Sequence, residues 1–176
     1  MDSRQNYAIE CENAVNTQIN NELTASYTYL AMANYFKRTN VAHYGASAFF
    51  HNQHLEELSH AQKLIDYQTD RGGVVQLHVI PAPSVQEWRS LSDAFKDSVK
   101  LEKGNNTALL RLHDLASQKN DSDLTNFLEE FYLREQIIEI KQMTAKYHQL
   151  KRIGEGLGVH LFDRELAEEV KSKERN

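Results

Sequence analysis

Only one cysteine, two prolines and seven glycines occur among 176 residues, and no apolar run approaches the length that spans a bilayer. The single thiol, Cys11, excludes an internal disulfide and fits a reducing compartment, with a small buried residue on the first helix as its plain reading. So few prolines and glycines leave an all-β fold without the punctuation its turns require. The opening MDSRQNYAIECENA has no apolar core of the kind a secretory leader carries, so a soluble, cytoplasmic chain is expected. A basic stripe interleaved with aromatics is missing too, and the net charge is −5 with a pI near 5.9. Neither nucleic acid nor membrane is therefore an expected partner, and cations suit this surface better. At 20.3 kDa the chain supports one sizeable core, and a single domain over residues 1–176 is expected.

Helix formers are plentiful instead, and apolar residues recur at alternating steps of three and four. The first stripe runs Ala8, Glu12, Val15, Ile19, Glu22, Ser26, Tyr29, Ala33, Phe36. A second, from about Tyr44 to Arg71, carries Ala46, Phe50, Gln53, Glu57, His60, Leu64 and Tyr67 and ends at Gly72-Gly73, a pair suited to a helix C-terminus. In PSVQE, Ser84 followed three later by Glu87 predicts a capping box opening the third helix, with Leu91, Phe95, Val99, Glu102, Asn106, Leu109, His113 and Ala116 on its stripe. The fourth helix follows KNDSD with Leu133, Gln136, Ile140, Met143, Tyr147 and Leu150, and a short fifth uses Leu157, Leu161, Phe162 and Leu166.

These lengths predict an all-α four-helix bundle. Short links make the first and second, and the third and fourth, antiparallel pairs. About 15 residues, 72–86, separate the second helix from the third, enough at roughly 3.3 Å each to run the bundle's length. That long crossover makes the second and third helices parallel. Within it, VVQLHVI reads as an extended strand whose free edge predicts pairing with a partner chain.

Polar residues interrupt the stripes at one height. The stretch HLEELSHAQKL sets Glu57 three before His60, on one helix face, but about one such pair is expected by chance in this composition. Glu22, Glu102 and Gln136, however, also fall near mid-helix and on the apolar stripes. Burying several unpaired carboxylates costs several kcal/mol each unless protons or cations neutralise them. Rim positions misread as core would require four coincidences of phase and height. A metal centre rich in oxygen ligands with one imidazole is expected, suited to iron or manganese rather than structural zinc, and two bridged ions would explain four converging helices.

QINNELTASYTYLAMA, HLEELSHAQKL, RGG, LEKGNN and FYLREQIIEIKQM, in that order and spacing, resemble the ferritins, specifically the ferroxidase-active H-type subunit, over essentially the whole chain. The resemblance implies a ferritin-like four-helix bundle with a long crossover between the second and third helices and a short fifth C-terminal helix. It implies a homo-oligomeric, octahedral shell of twenty-four subunits, open to mixing with other ferritin subunits, that oxidises Fe(II) with O2 at a di-iron centre and stores the ferric mineral. Glu22 and His60 would then ligate the first iron, Glu57 would bridge both, and Glu102 would ligate the second with Gln136 nearby. Tyr29 would hydrogen-bond into the site. The alternative is a storage subunit without fast oxidation, and a di-iron oxygenase is disfavoured because Gln136 replaces a carboxylate.

Several positions depart from the family pattern. Glu139, three after Gln136, is either a transient iron ligand or stepping stone for arriving iron, or a solvated cavity-facing carboxylate. At the entry pore Glu129 stands but Asn126 replaces an Asp, with Asp121, Asp123, Glu130 and Glu135 available to compensate and His113 as a pore-side ligand or structural residue. On the cavity wall Glu56 stands, whereas Ser59 and Gln62 replace acids. IGEGLG is about three residues short, which bears on the four-fold packing of Leu157, Leu161 and Glu165. Gly104 is unfavourable mid-helix by about 1 kcal/mol relative to Ala.

Overall fold

A computed structural model describes residues 3–173. Four helical rods and a C-terminal helix account for most of them: α1 (Ile9–Lys37), α2 (Tyr44–Asp70), α3 (Leu91–Gln118), α4 and α5 (Leu157–Lys173). Rod α4 has three stretches, Ser122–Leu128, a π-helical segment Glu129–Leu133, and Arg134–Ile153. Among the described residues no helix is long and apolar enough to cross a membrane.

The crossover does span the bundle, and its contacts show how. Near the start of α1, the Asn16 amide donates to the Val74 carbonyl at 2.9 Å and accepts from the Gln76 N–H at 3.0 Å, while Glu12 accepts from Val74 N–H at 3.0 Å. At the far end of α1, Tyr35 donates to the Trp88 carbonyl at 2.6 Å, and Trp88 stacks on Phe36. Nineteen residues of α1 separate Asn16 from Tyr35, about 28 Å of helix. α3 therefore starts beside the end of α1, parallel to α2.

Two expectations are corrected here. Among the described residues VVQLHVI forms no strand; Val74 and Gln76 are held by α1 side chains, with Leu77 and Val79 largely exposed. Nor does Ser84 cap α3. Buried Trp88 anchors the chain just ahead of the helix, and Ser90 becomes the N-cap, its hydroxyl accepting from Asp93 N–H at 3.1 Å. Gly72, with φ 69°, does end α2, where the Gly73 N–H returns to the Gln68 carbonyl.

α5 docks on the beginning of α2. Asp163 accepts from the Gly45 and Ala46 N–H groups at 3.2 and 2.7 Å, capping from another helix an N-terminus that has no cap of its own. A Cβ at Gly45 would stand 1.7 Å from the Asp163 carbonyl oxygen, so only glycine permits this approach.

The core is two apolar clusters. One gathers Phe36, Phe50, Phe95, Met143 and Phe162; the other gathers Val15, Ile19, Leu64, Leu109, Leu128 and Tyr132. On every rod the stretch between them is polar: Glu22 and Ser26 on α1, Gln53, Glu57 and His60 on α2, Glu102 and Asn105 on α3, Gln136 and Glu139 on α4, all buried. The expected common height is this layer.

Candidate metal centre

Each rod delivers its polar residues inward because they share the phase of its apolar stripe. On α4 that phase is kept by the π-helical segment. Leu124, Leu128, Tyr132 and Gln136 are all buried at steps of four, which on a regular α-helix would drift by about 40° per step. Unwinding across Glu129–Leu133 absorbs the drift and turns Gln136 and Glu139 into the bundle. Tyr132, rather than the expected Leu133, occupies the inner face and donates to the His60 carbonyl at 2.7 Å, tying α4 to α2.

Glu22, Glu57 and Glu102 are at most 1% exposed, and Glu139 is 6% exposed. One ligand atom from each of Glu22, Glu57 and His60 lies within 4.8 Å of the other two, and the same holds for Glu57, Glu102 and Glu139. Glu57 is common to both groups. A third group, His60, Glu135 and Glu139, adjoins them, with His60 Nε2 3.4 Å from Glu135. Tyr29 donates to one oxygen of Glu102, and Gln136 donates to the other at 3.2 Å and to Glu139 at 2.7 Å.

Three buried oxygens converge here without a hydrogen-bond partner among the described residues: Oε1 of Glu57, of Gln136 and of Glu139. Buried acceptors left unmatched are costly, and a cation is what such a set accepts. Burial, then the charges of Glu22 and Glu102, raises the Glu57 carboxyl well above its ordinary range. Burial also raises Glu102, opposed by the Tyr29 and Gln136 hydrogen bonds. Glu139 is pushed up to about 9, by burial first and then by Glu102. Tyr29 is raised as well, chiefly by burial, and stays a neutral donor. The field that retains protons on these carboxyls is the field that would hold a cation.

With 12–153 matching the family described as the ferritin-like domain, most of the chain is accounted for. The chain belongs to the ferritin family. It is 44% identical to the soma ferritin of Lymnaea stagnalis over 163 residues, 93% of this chain and 94% of the relative. Identity is also 44% to the ferritin-2 heavy chain of Schistosoma mansoni over 162 residues, 92% and 94% of the two chains. It reaches 46% with a ferritin of Pacifastacus leniusculus over 164 residues, 93% and 90%.

Within this ferritin, Glu22, Tyr29, Glu57, His60, Glu102, Gln136 and Glu139 come together in one layer. The solvated reading of Glu139 is corrected: it is buried, against Gln136. Glu56 is half-buried beside the centre and acts on Glu102 and Glu139 through its charge. Glu129 and His113 lie apart from the layer and pair with each other at 2.8 Å. Asn126 is exposed, in a concavity shared with Asp123 and Glu130. Asp121 does not compensate for it: it is buried, caps α4 through Leu124 N–H, and takes two hydrogen bonds from Arg71 at 2.9 Å.

Three contributors escaped the sequence reading. Glu135, named in sequence only for the pore, lies 3.4 Å from His60 while its side chain stays 40% exposed, one position before Gln136. Asn105, not the striped Asn106, is buried beside Glu22, and Gln18 stands one turn before Glu22. An apolar stripe widened by one position would have included both Gln18 and Asn105.

Proposed function

We propose that this ferritin is a ferroxidase subunit: it oxidises Fe(II) with O2 at a di-iron centre and stores the Fe(III) mineral inside a 24-subunit shell. Iron is substrate and cargo here. Support comes first from the two ligand groups that share Glu57, each with buried carboxylate oxygen to offer. Glu22 and His60 hold the first Fe(II), Glu57 bridges, and Glu102 holds the second, with Gln136 and Glu139 beside it. Anionic oxygen ligands favour Fe(III) over Fe(II), so the site stabilises the product charge as it develops. Each Fe(II) gives one electron; O2 takes both with two protons and leaves as hydrogen peroxide. Tyr29, kept neutral by burial, holds Glu102 through its hydroxyl and fixes the second site's geometry.

Glu139, buried beside Gln136 and grouped with Glu135 against His60, acts as a transient ligand or stepping stone for iron next to the layer. His113 and Glu129 act as a separate metal-binding pair at the entry pore. Assembly is supported by the large apolar residues a single chain leaves bare, among them Leu77 at 68% exposure, Val79 at 88% and Leu157 at 71%. The subunit functions in the cytoplasm.

A storage shell without fast oxidation would not require the full ligand set. Aerobic Fe(II) oxidation decides between them. Replacing Glu57→Ala together with His60→Ala should lower the initial rate by more than about 100-fold, since supporting residues alone are worth 10- to 100-fold. Equal rates for wild type and variant would remove the enzymatic reading.

A further inference from the structure

The polar layer is held unevenly. Each oxygen of Glu22 takes a side-chain amide hydrogen: Gln18 Nε2 reaches Oε1 at 2.8 Å, and Asn105 Nδ2 reaches Oε2 at 2.7 Å. Gln18 Nε2 spends its other hydrogen on Asn105 Oδ1 at 2.6 Å, and Asn21 donates to Gln18 Oε1 at 3.1 Å. The three side chains thus close a ring in which reversing either amide would set a carbonyl oxygen against a carboxylate. Gln18 is 2% exposed and Asn105 7%, so water does not substitute for them. Across the layer Glu102 is held as well, by Tyr29 and Gln136, but Gln136 and Glu139 each keep an oxygen with no partner among the described residues, as does Glu57, which both sites share.

We infer that Gln18 and Asn105 are positioning residues that hold Glu22 as a pre-set ligand, so that the Glu22–Glu57–His60 site fills first while Gln136 and Glu139, the half-held members of the second site, rearrange around the next ion. This rests on the di-iron reading above. Neutral amide donors keep Glu22 oriented without adding a competing charge, and each of its oxygens retains lone-pair capacity for a cation. Holding one ligand in place before the metal arrives removes ordering cost from the first binding step. Gln136 and Glu139, each with an unpaired oxygen, bear that cost at the second step.

Anaerobic titration of the assembled protein with Co(II) alone tests this, reading visible absorption together with affinity. Binding that is lost in Glu57→Ala/His60→Ala reports the centre. Asn105→Leu and Gln18→Met conserve size, sit on different helices and each remove one hydrogen bond to Glu22. Each should weaken the tighter of two Co(II) events by about tenfold, within the 10- to 100-fold range of supporting residues, and alter the first ion's spectrum. The second event should keep its affinity. Unchanged first-event affinity and spectrum in a folded variant, or equal weakening of both events, would overturn the inference. If Glu57→Ala/His60→Ala binds Co(II) as wild type does, the centre itself is lost, and the inference with it. Thermal melting identifies the folded variant, and either one carries the test.

Discussion

Glu139 shows how far one side chain's chemistry is set by its surroundings. Burial and the carboxylates of Glu102, Glu56, Glu135 and Glu22 push its carboxyl from 4.5 up to about 9. Without metal, the folded chain therefore keeps a proton on Glu139 that the unfolded chain releases between those values. Because the folded state binds more protons in that window, stability falls as pH rises from about 4.5 toward 9. The raised carboxyls of Glu57 and Glu102 act in the same direction. Glu139→Gln, whose amide needs no proton, should thus stabilise the metal-free protein more at pH 8 than at pH 6. Melting at pH 6 and pH 8 checks this, and identical pH slopes for variant and wild type would refute it. Glu22, Glu57, His60, Glu102 and Gln136 were legible in sequence because an acid or amide in the phase of an apolar stripe is out of place. Glu135, Gln18 and Asn105 were not, because they flank that phase and only the packing of two helices decides which flank is buried.

Gly104 lies inside α3, two residues beyond Glu102, and a Cβ built there meets nothing within 4 Å. Gly104→Ala should therefore return the helix propensity without a clash, adding about 1 kcal/mol. For a chain of this size that is roughly 2–4 °C in thermal midpoint, with Co(II) binding at the centre unchanged. A lowered midpoint would mean that the glycine serves a contact outside the chain. At this scale the rods and the crossover were readable from periodicity and link length. The start of α3 was not: Ser84 and Ser90 both offer a cap, and the choice falls to Trp88, whose ring packs against Tyr35 and Phe36 near the far end of α1. The π-helical segment of α4 was also hidden. Steps of four from Leu124 to Gln136 are visible in the letters, but they signal unwinding only once all four residues are known to face inward.

In the whole molecule, the crossover lies over α1 with Leu77 and Val79 turned outward, a surface that a lone chain would leave in water. Leu77→Asp with Val79→Asp should shift the assembly from shell-sized particles toward smaller species in sedimentation, while helicity is kept. Retention of full-sized particles would exclude this face from subunit contacts. On the proposed function, assembly and oxidation are separable, because the ligand layer lies between two apolar clusters of a single bundle. As a ferroxidase centre, this layer would bind two irons and oxidise them together. Rapid mixing of the assembled protein with Fe(II) and O2 measures it directly, counting the Fe(II) and O2 consumed in the fast phase per chain. Two Fe(II) per chain and one O2 per two Fe(II), both lost in Glu57→Ala/His60→Ala, is the predicted result. A fast phase that saturates at one Fe(II) per chain, or that survives the double substitution, would contradict it.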